Sequence, residues 1–156
     1  MAFHQRLLIS IASLYTVLTC QIAGAQQSVP ISQAPKRADV IGSGSRPVSG
    51  AELPGLLIGN TTYDLWLTAP QGSDYRSGDV VQRYFRDRSI ARSRNKGVTT
   101  DTRWWIEGNA LCSEITRNGR ACFVLYPFKG QLVACDVDWD DCPLLVRIVP
   151  GNPESY

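Results

Sequence analysis

Residues 103–137, RWWIEGNALCSEITRNGRACFVLYPFKGQLVACDV, decide the fold of this chain. Short runs of apolar, aromatic and β-branched residues are interrupted at Gly108-Asn109, Asn118-Gly119 and Lys129-Gly130, which is the spacing of consecutive β-hairpins. The stretch therefore predicts four strands in succession, each antiparallel to the one before it. They cover residues 103–107, 110–116, 120–128 and 131–137.

Three further strands are predicted on either side of this stretch. Residues 61–68 alternate between two faces, with Tyr63 on one face and Asp64 on the other. Residues 80–86 and 144–149 are shorter runs of the same kind, and residues 89–97 are expected to form a long loop. Seven short strands joined mostly by tight turns predict an all-β domain, a small antiparallel meander closed or partly closed into a barrel, with a β-sandwich as the alternative.

The N-terminus carries the pattern of an export signal. Arg6 precedes an apolar run at residues 7–18, and Ala23-Gly24-Ala25 offers small residues for cleavage. The run is shorter than the roughly 20 residues that cross a bilayer as a helix, so no transmembrane segment is expected. The sequence therefore predicts a periplasmic or secreted protein, with a lipid-anchored form acylated at Cys20 as the alternative.

Signal cleavage after residue 25 would leave a single small domain. Residues 26–50 are rich in Gln, Ser, Pro and Gly and lack periodicity, which predicts a flexible linker that acts as a disordered tether. The β-rich domain is expected at residues 51–152, and residues 153–156 form a C-terminal tail. His4, the only histidine, lies in the signal, so the exported chain would lack the imidazole on which most side-chain catalysis relies.

Several short motifs follow one another in an order similar to that of small exported bacterial β-rich single-domain proteins of unknown function. They are Leu56-Leu57-Ile58-Gly59-Asn60-Thr61, Tyr84-Phe85, Trp105-Ile106-Glu107-Gly108-Asn109-Ala110-Leu111-Cys112, Cys122 and Val149-Pro150-Gly151-Asn152. The resemblance implies one exported β unit with a single cysteine pair in its middle, and it implies no catalytic residue. This chain departs from that pattern in having Arg103 in place of a glycine and in the additional cysteines Cys135 and Cys142.

Four cysteines in an exported chain of this size predict two disulfides. Local pairing would join Cys112 to Cys122 and Cys135 to Cys142. A two-residue turn at Asn118-Gly119 would place the first pair three positions out of register, so either the hairpin loop is longer or Cys112 has another partner. The spacings do not match those of a zinc site, and no metal or other cofactor is expected.

A group of arginines and tryptophans is predicted to bind a ligand. Guanidinium groups form paired hydrogen bonds with phosphates and carboxylates, and exposed indoles stack on sugars or lipids. The predicted partner is an anionic envelope component or another exported protein with an acidic surface; export and a near-neutral net charge argue against nucleic acid. The candidate residues are Arg83, Arg86, Arg88, Arg92, Arg94, Trp104, Trp105 and Trp139.

Adjacent strand residues point to opposite faces, so one of Trp104 and Trp105 should face the core and the other should face outward. A competing interpretation of the arginine-rich segment is a solubilising loop that pairs with the acidic turn around Trp139.

The loop 136–141 offers an alternative function as a structural or inhibitory protein-interaction loop. Its sequence DVDWDD resembles the first half of a calcium loop, but Asp141 and Arg147 stand where a glycine and a bidentate carboxylate are required. A solvated acidic turn, offset by some nearby cation, is therefore expected.

A carboxylate-only hydrolase that uses Glu107 and Glu114 is the other alternative, because paired carboxylates cleave glycosides. The sequence favours a binding module over an enzyme and leaves the oligomeric state open.

Overall fold

The computed structural model describes residues 31–71, 73–116 and 119–155. Within these residues two short helices precede eight strands, and each strand is antiparallel to its neighbours. The elements are α1 Arg37–Gly42, α2 Leu53–Leu57, β1 Asn60–Trp66, β2 Val80–Phe85, β3 Ile90–Asn95, β4 Val98–Glu107, β5 Ala110–Thr116, β6 Gly119–Phe128, β7 Gln131–Asp136 and β8 Leu144–Pro150. Because β1 also pairs with β8, the meander closes into a barrel, which confirms the predicted fold and excludes the sandwich.

The strand β3 was not predicted. Its residues were expected to lie in a long loop, and β4 was expected to begin at residue 103 rather than at Val98. A tight turn joins the two strands, with positive φ angles at Lys96 (48°) and Gly97 (83°), the combination that a two-residue hairpin turn requires. The inward residues of β3 include only one small apolar side chain, Ala91, so the strand lacks the apolar alternation that identified the others.

The core lies inside the barrel and is sealed at one end by α2. Leu53 and Leu57 of this helix are fully buried against inward side chains such as Phe85 and Leu125. Burial of a leucine side chain is worth about 1.5–3 kcal/mol, so α2 is an integral part of the core. This end, called the α2 end below, also holds the turns β2–β3, β4–β5 and β6–β7.

Residues 31–50 form a strap along the outside of the barrel, which corrects the predicted flexible linker over this range. Val40 of α1 is fully buried against Tyr126 and Val133 on the outer side of β6 and β7. Farther along, the Val48 amide donates a 2.8 Å hydrogen bond to the carbonyl of Leu125. Isolated apolar residues of the strap thus pack against an apolar outer surface formed by strands that are distant in sequence. The periodicity of the strap's own sequence cannot indicate this packing.

Both predicted disulfides are present, Cys112–Cys122 and Cys135–Cys142. Cys112 lies directly opposite Cys122 because Thr116 pairs with Gly119, so the turn falls one residue earlier than predicted, and because the register shifts by one further position between Glu114 and Thr116. The earlier turn removes two positions of the predicted three-position offset, and the register shift removes the third. Two disulfides are compatible with an oxidising compartment.

The predicted signal peptide (residues 1–25), its lipid-anchored alternative at Cys20 and residues 26–30 of the linker lie outside the described residues. In the part of the chain that is described, neither helix has the length and apolar character that a membrane crossing demands.

Candidate functional site

Arg83 lies inside the barrel and not on the predicted arginine rim. Its side chain is 9% exposed, and Nη1 donates a 2.7 Å hydrogen bond to Oδ2 of Asp64 on β1. Burial raises the pKa of Asp64, and the guanidinium group of Arg83 opposes that rise. Arg83 is therefore the counter-ion of an internal carboxylate. Its prediction as a ligand-binding residue of the arginine-rich rim is wrong, because its side chain does not reach the surface.

The other four predicted arginines are exposed. Arg86 and Arg88 lie in the β2–β3 turn, while Arg92 and Arg94 occupy alternate outward positions of β3. Arg103 is exposed on the adjacent strand β4 and belongs to the same surface, although sequence reasoning did not include it. Arg103 lies two residues before Trp105 and therefore shares its face of the strand, and this spacing was the signal that could have identified Arg103. These exposed residues, Arg86, Arg88, Arg92, Arg94 and Arg103, are called the arginine face.

Strand geometry sets the spacing of these charges. Arg92 pairs with Asp101 and Arg94 with Thr99, while Arg103 pairs with Ile90 one step nearer the α2 end. Residues two apart on a strand are separated by about 6.7 Å, and neighbouring strands by about 4.8 Å. The guanidinium groups are thus distributed over a patch of wall rather than gathered around one point.

Three carboxylates lie among the five arginines. Asp87 accepts hydrogen bonds of 2.8 Å from the amides of Ser89 and Ile90, and these bonds lower the pKa of Asp87 to about 2. The two others are Asp101 and Glu114, the latter with an oxygen 3.9 Å from Arg103. No ion pair joins Arg88, Arg92 or Arg94 to any residue in the described ranges, so the face carries an excess of positive charge.

Trp104 and Trp105 point in opposite directions, as predicted. Trp104 is buried, stands edge-on to Phe85 with ring centroids 5.2 Å apart, and donates from Nε1 to the Asp87 carbonyl at 2.9 Å. Trp105 faces outward and is half-buried beside the Cys112–Cys122 disulfide. Trp105 therefore borders the arginine face next to Arg103, whereas Trp104 belongs to the core.

Trp139 lies elsewhere, in the loop 136–141 between β7 and β8, and its side chain is 43% exposed. The cations that offset this acidic loop come from the strap. Lys36 pairs with Asp141 at 2.7 Å, and Arg37 donates to the Trp139 carbonyl. The predicted pairing of this loop with the arginine-rich segment is therefore not observed among the described residues.

The two carboxylates of the proposed hydrolase do not face each other. Glu107 pairs with Arg120 at 2.9 Å and accepts a 2.8 Å hydrogen bond from Trp105 Nε1, whereas Glu114 lies near Arg103. The β4–β5 register places the backbones of Glu107 and Glu114 four positions apart along the outer wall, which is about 13 Å. Each carboxylate therefore has a different arginine as its partner, and the carboxylate of Glu107 lies against the Cys112–Cys122 disulfide.

One cluster combines Glu107 with the sulfurs of Cys112 and Cys122, all within 4.8 Å of one another. Both sulfurs are joined in a disulfide, so they do not supply the thiolates that bind a metal ion.

An open groove of about 880 Å³ on the outer surface of β1, β7 and β8 was not indicated by the sequence. It is lined mainly by apolar residues such as Leu65 and Leu145, and the guanidinium carbon of Arg147 at its side lies 4.3 Å from the centroid of the Tyr63 ring.

No protein-family model matches the chain, and neither the curated proteins nor the solved structures contain a match. Function is therefore inferred from the side chains and their geometry.

Proposed function

We propose that this protein is an exported, non-enzymatic binding protein that holds a repeating anionic component of the cell envelope on its arginine face. The observation that carries the proposal is the set of exposed arginines Arg88, Arg92 and Arg94, which form no ion pair with any described residue. Exposed cations without an ion-pair partner attract anions without first having to break an internal ion pair.

The spread of the arginine face along β3 and β4 favours a ligand with repeated charges. The strand positions of Arg92, Arg94 and Arg103 are spaced roughly 7–8 Å apart, a spacing that matches successive anionic groups along a polysaccharide or adjacent headgroups of a membrane surface. A single small anion would instead require convergent arginines in a concave site. Trp105, at the border of the face, adds an indole on which a sugar ring or lipid segment can stack.

Placement in the envelope rests on the export pattern at residues 1–25, together with the two disulfides. The proposed compartment is periplasmic or extracellular, where acidic polysaccharides and anionic headgroups are the abundant polyanions.

The test measures binding to polygalacturonate and to vesicles that contain phosphatidylglycerol, at several salt concentrations. The variant Arg92→Ala/Arg94→Ala removes two charges from the face, and Arg46→Ala/Lys129→Ala removes two exposed charges from the side of β6 and β7. Each cation near an anionic surface contributes about 1 kcal/mol, so the first variant should bind about 30-fold more weakly and with a shallower salt dependence. Equal losses in both variants, or no binding of the unaltered protein to either probe, would refute the proposal.

A second candidate function is supported by the way in which the loop 136–141 is held. The Cys135–Cys142 disulfide closes it, Oδ1 of Asp136 accepts a 2.8 Å hydrogen bond from the Asp138 amide, and the strap supports it from outside. A constrained loop that exposes a tryptophan has little entropy to lose on binding and is suited to inserting into a cleft of a partner protein. Under this alternative, Trp139→Ala abolishes capture of a protein from envelope extract, and the arginine variants retain it.

A further inference from the structure

A small polar cavity of about 80 Å³ lies inside the barrel, toward the end opposite α2. It is separate from the arginine face, which lies on the outer wall. Residues of β2, β3 and β4 form most of its lining, together with Tyr75 from the β1–β2 connection and Glu114 of β5. The polar residues on which the inference rests are Arg83 of β2, Ser93 and Asn95 of β3, and Thr100 and Thr102 of β4.

Two buried polar atoms of this lining lack a partner among the described residues. They are Oγ of Ser93, a residue that is only 9% exposed, and Oδ1 of Asn95. Proteins rarely leave buried polar atoms unpaired, so water or a polar group of a ligand is expected in the adjacent space. Arg83 also lines the cavity. It uses one of its five N–H donors for the bond to Asp64, so other donors of the guanidinium group remain for an occupant.

The charge balance of the cavity selects a neutral occupant. The guanidinium charge of Arg83 is already matched by Asp64 at 2.7 Å, so a bound anion would be a second negative charge on one buried cation. A bound cation would face Arg83 directly. Glu114 also contributes to the lining, but its carboxylate is half exposed and lies on the outer side near Arg103. A neutral group with both donors and acceptors is the best match.

We propose that this cavity binds the carboxamide group of a small neutral ligand. The carbonyl oxygen of the ligand accepts a hydrogen bond from Arg83, and its N–H group donates to Asn95 Oδ1, with the Ser93 hydroxyl as a third partner. The volume corresponds to two or three water molecules at about 30 Å³ each, which suits a group of four heavy atoms. Thr100 is exposed at the mouth, so a substituent on the amide can extend into solvent.

Two sources of this chemistry are possible, a free small amide or the acetamido group of an envelope sugar. The test therefore titrates the intact disulfide-bonded domain with acetamide and with N-acetylglucosamine, and follows backbone amide signals by NMR. Acetate and acetone are matched controls, since acetate adds a charge and acetone lacks N–H donors. Ligands this small bind in the millimolar range, so titration to about 100 mM is required.

The expected result is a saturable shift of the Ser93, Asn95 and Thr102 signals with acetamide, at least about tenfold tighter than with acetone or acetate, since a buried group is left unpaired in each control. Saturation by N-acetylglucosamine as well would identify the acetamido group, and saturation by acetamide alone would identify a free amide. Stronger binding of acetate, or no saturable shift with either amide, would overturn the proposal.

Ser93→Val fills the cavity with a methyl group and removes the hydroxyl, so it should abolish the acetamide shifts. Thr99→Val is the control, because Thr99 lies at an outward position of β4 opposite Arg94. Retained binding in Ser93→Val would contradict the assignment. If that variant does not fold, the comparison of acetamide with acetate and acetone on the unaltered protein still decides the matter.

Discussion

Breaking the internal Arg83–Asp64 pair should destabilise the protein severely, whereas removing both charges should not. Arg83→Met leaves the Asp64 carboxylate buried without a cation, and Asp64→Leu leaves the guanidinium group buried without an anion. Removal of one partner of a buried pair costs about 3–5 kcal/mol, against about 5–15 kcal/mol for the total stability of a domain. The double variant Arg83→Met/Asp64→Leu replaces the pair by apolar side chains and should lie within about 1–2 kcal/mol of the unaltered protein.

The two single variants should differ in their pH dependence. Burial raises the pKa of Asp64, so in Arg83→Met the carboxyl group can escape its unpaired state by taking up a proton as the pH falls. Between the ordinary pKa of the unfolded chain and the raised pKa of the folded protein, the folded form binds more protons than the unfolded form. The free energy of unfolding of Arg83→Met therefore falls as the pH rises through the folded pKa of Asp64. A guanidinium group has no such escape, because it stays charged throughout, and Asp64→Leu should be equally unstable at pH 5 and pH 8.

Urea unfolding of the disulfide-bonded protein, followed by tryptophan fluorescence at both pH values, measures these free energies. Arg92→Met is the control, since Arg92 is exposed on the neighbouring strand and its replacement should change stability by no more than about 0.5 kcal/mol. A double variant whose loss equals the sum of the two single losses would refute the reasoning, as would identical pH profiles for Arg83→Met and Asp64→Leu.

Two further predictions test the packing at the α2 end and along the strap. In Gly50→Ala the new methyl group would clash with the carbonyl oxygen of Gly108, so thermal unfolding should show a loss of several degrees; Gly55→Ala, in open space on α2, should be neutral or stabilise by up to about 1 kcal/mol. Val40→Ala should cost about 2 kcal/mol because it empties a fully buried site, whereas Ile41→Ala at the exposed neighbouring position should cost much less. No difference within either pair would show that these contacts do not contribute to stability.

The hairpins from β4 to β7 could be predicted because their information is local. Glycine-containing turns separate apolar runs, and strand alternation assigns each residue to a face, as the opposite orientations of Trp104 and Trp105 show. The strap could not be predicted in the same way. Val40 is a single apolar residue in a polar segment, and its burial depends on a surface formed by β6 and β7, about ninety positions farther along the chain.

The position of Arg83 could have been predicted from the same alternation. Arg83 shares its face of β2 with Val81 and Phe85, both buried, and Asp64 shares its face of β1 with buried Trp66. Opposite charges on the inward faces of two adjacent strands are an ion-pair signal, since an isolated buried charge is too costly to retain. The clustering of arginines along the chain indicates a common surface, but alternation along β2 places Arg83 on the inward face, apart from the others.

The alternation of side chains along a strand thus divides these arginines into an inward group and an outward group, and the two groups have different uses in experiments. Arg83 is inward, paired and part of the fold, so its removal would confuse a loss of binding with a loss of structure. Arg92 and Arg94 are outward and form no described ion pair, so their removal changes the charge of the wall with little effect on the core. Weaker polyanion binding by Arg92→Ala/Arg94→Ala at unchanged unfolding free energy would therefore assign the binding to the wall itself, and a parallel loss of stability would remove the basis for that assignment.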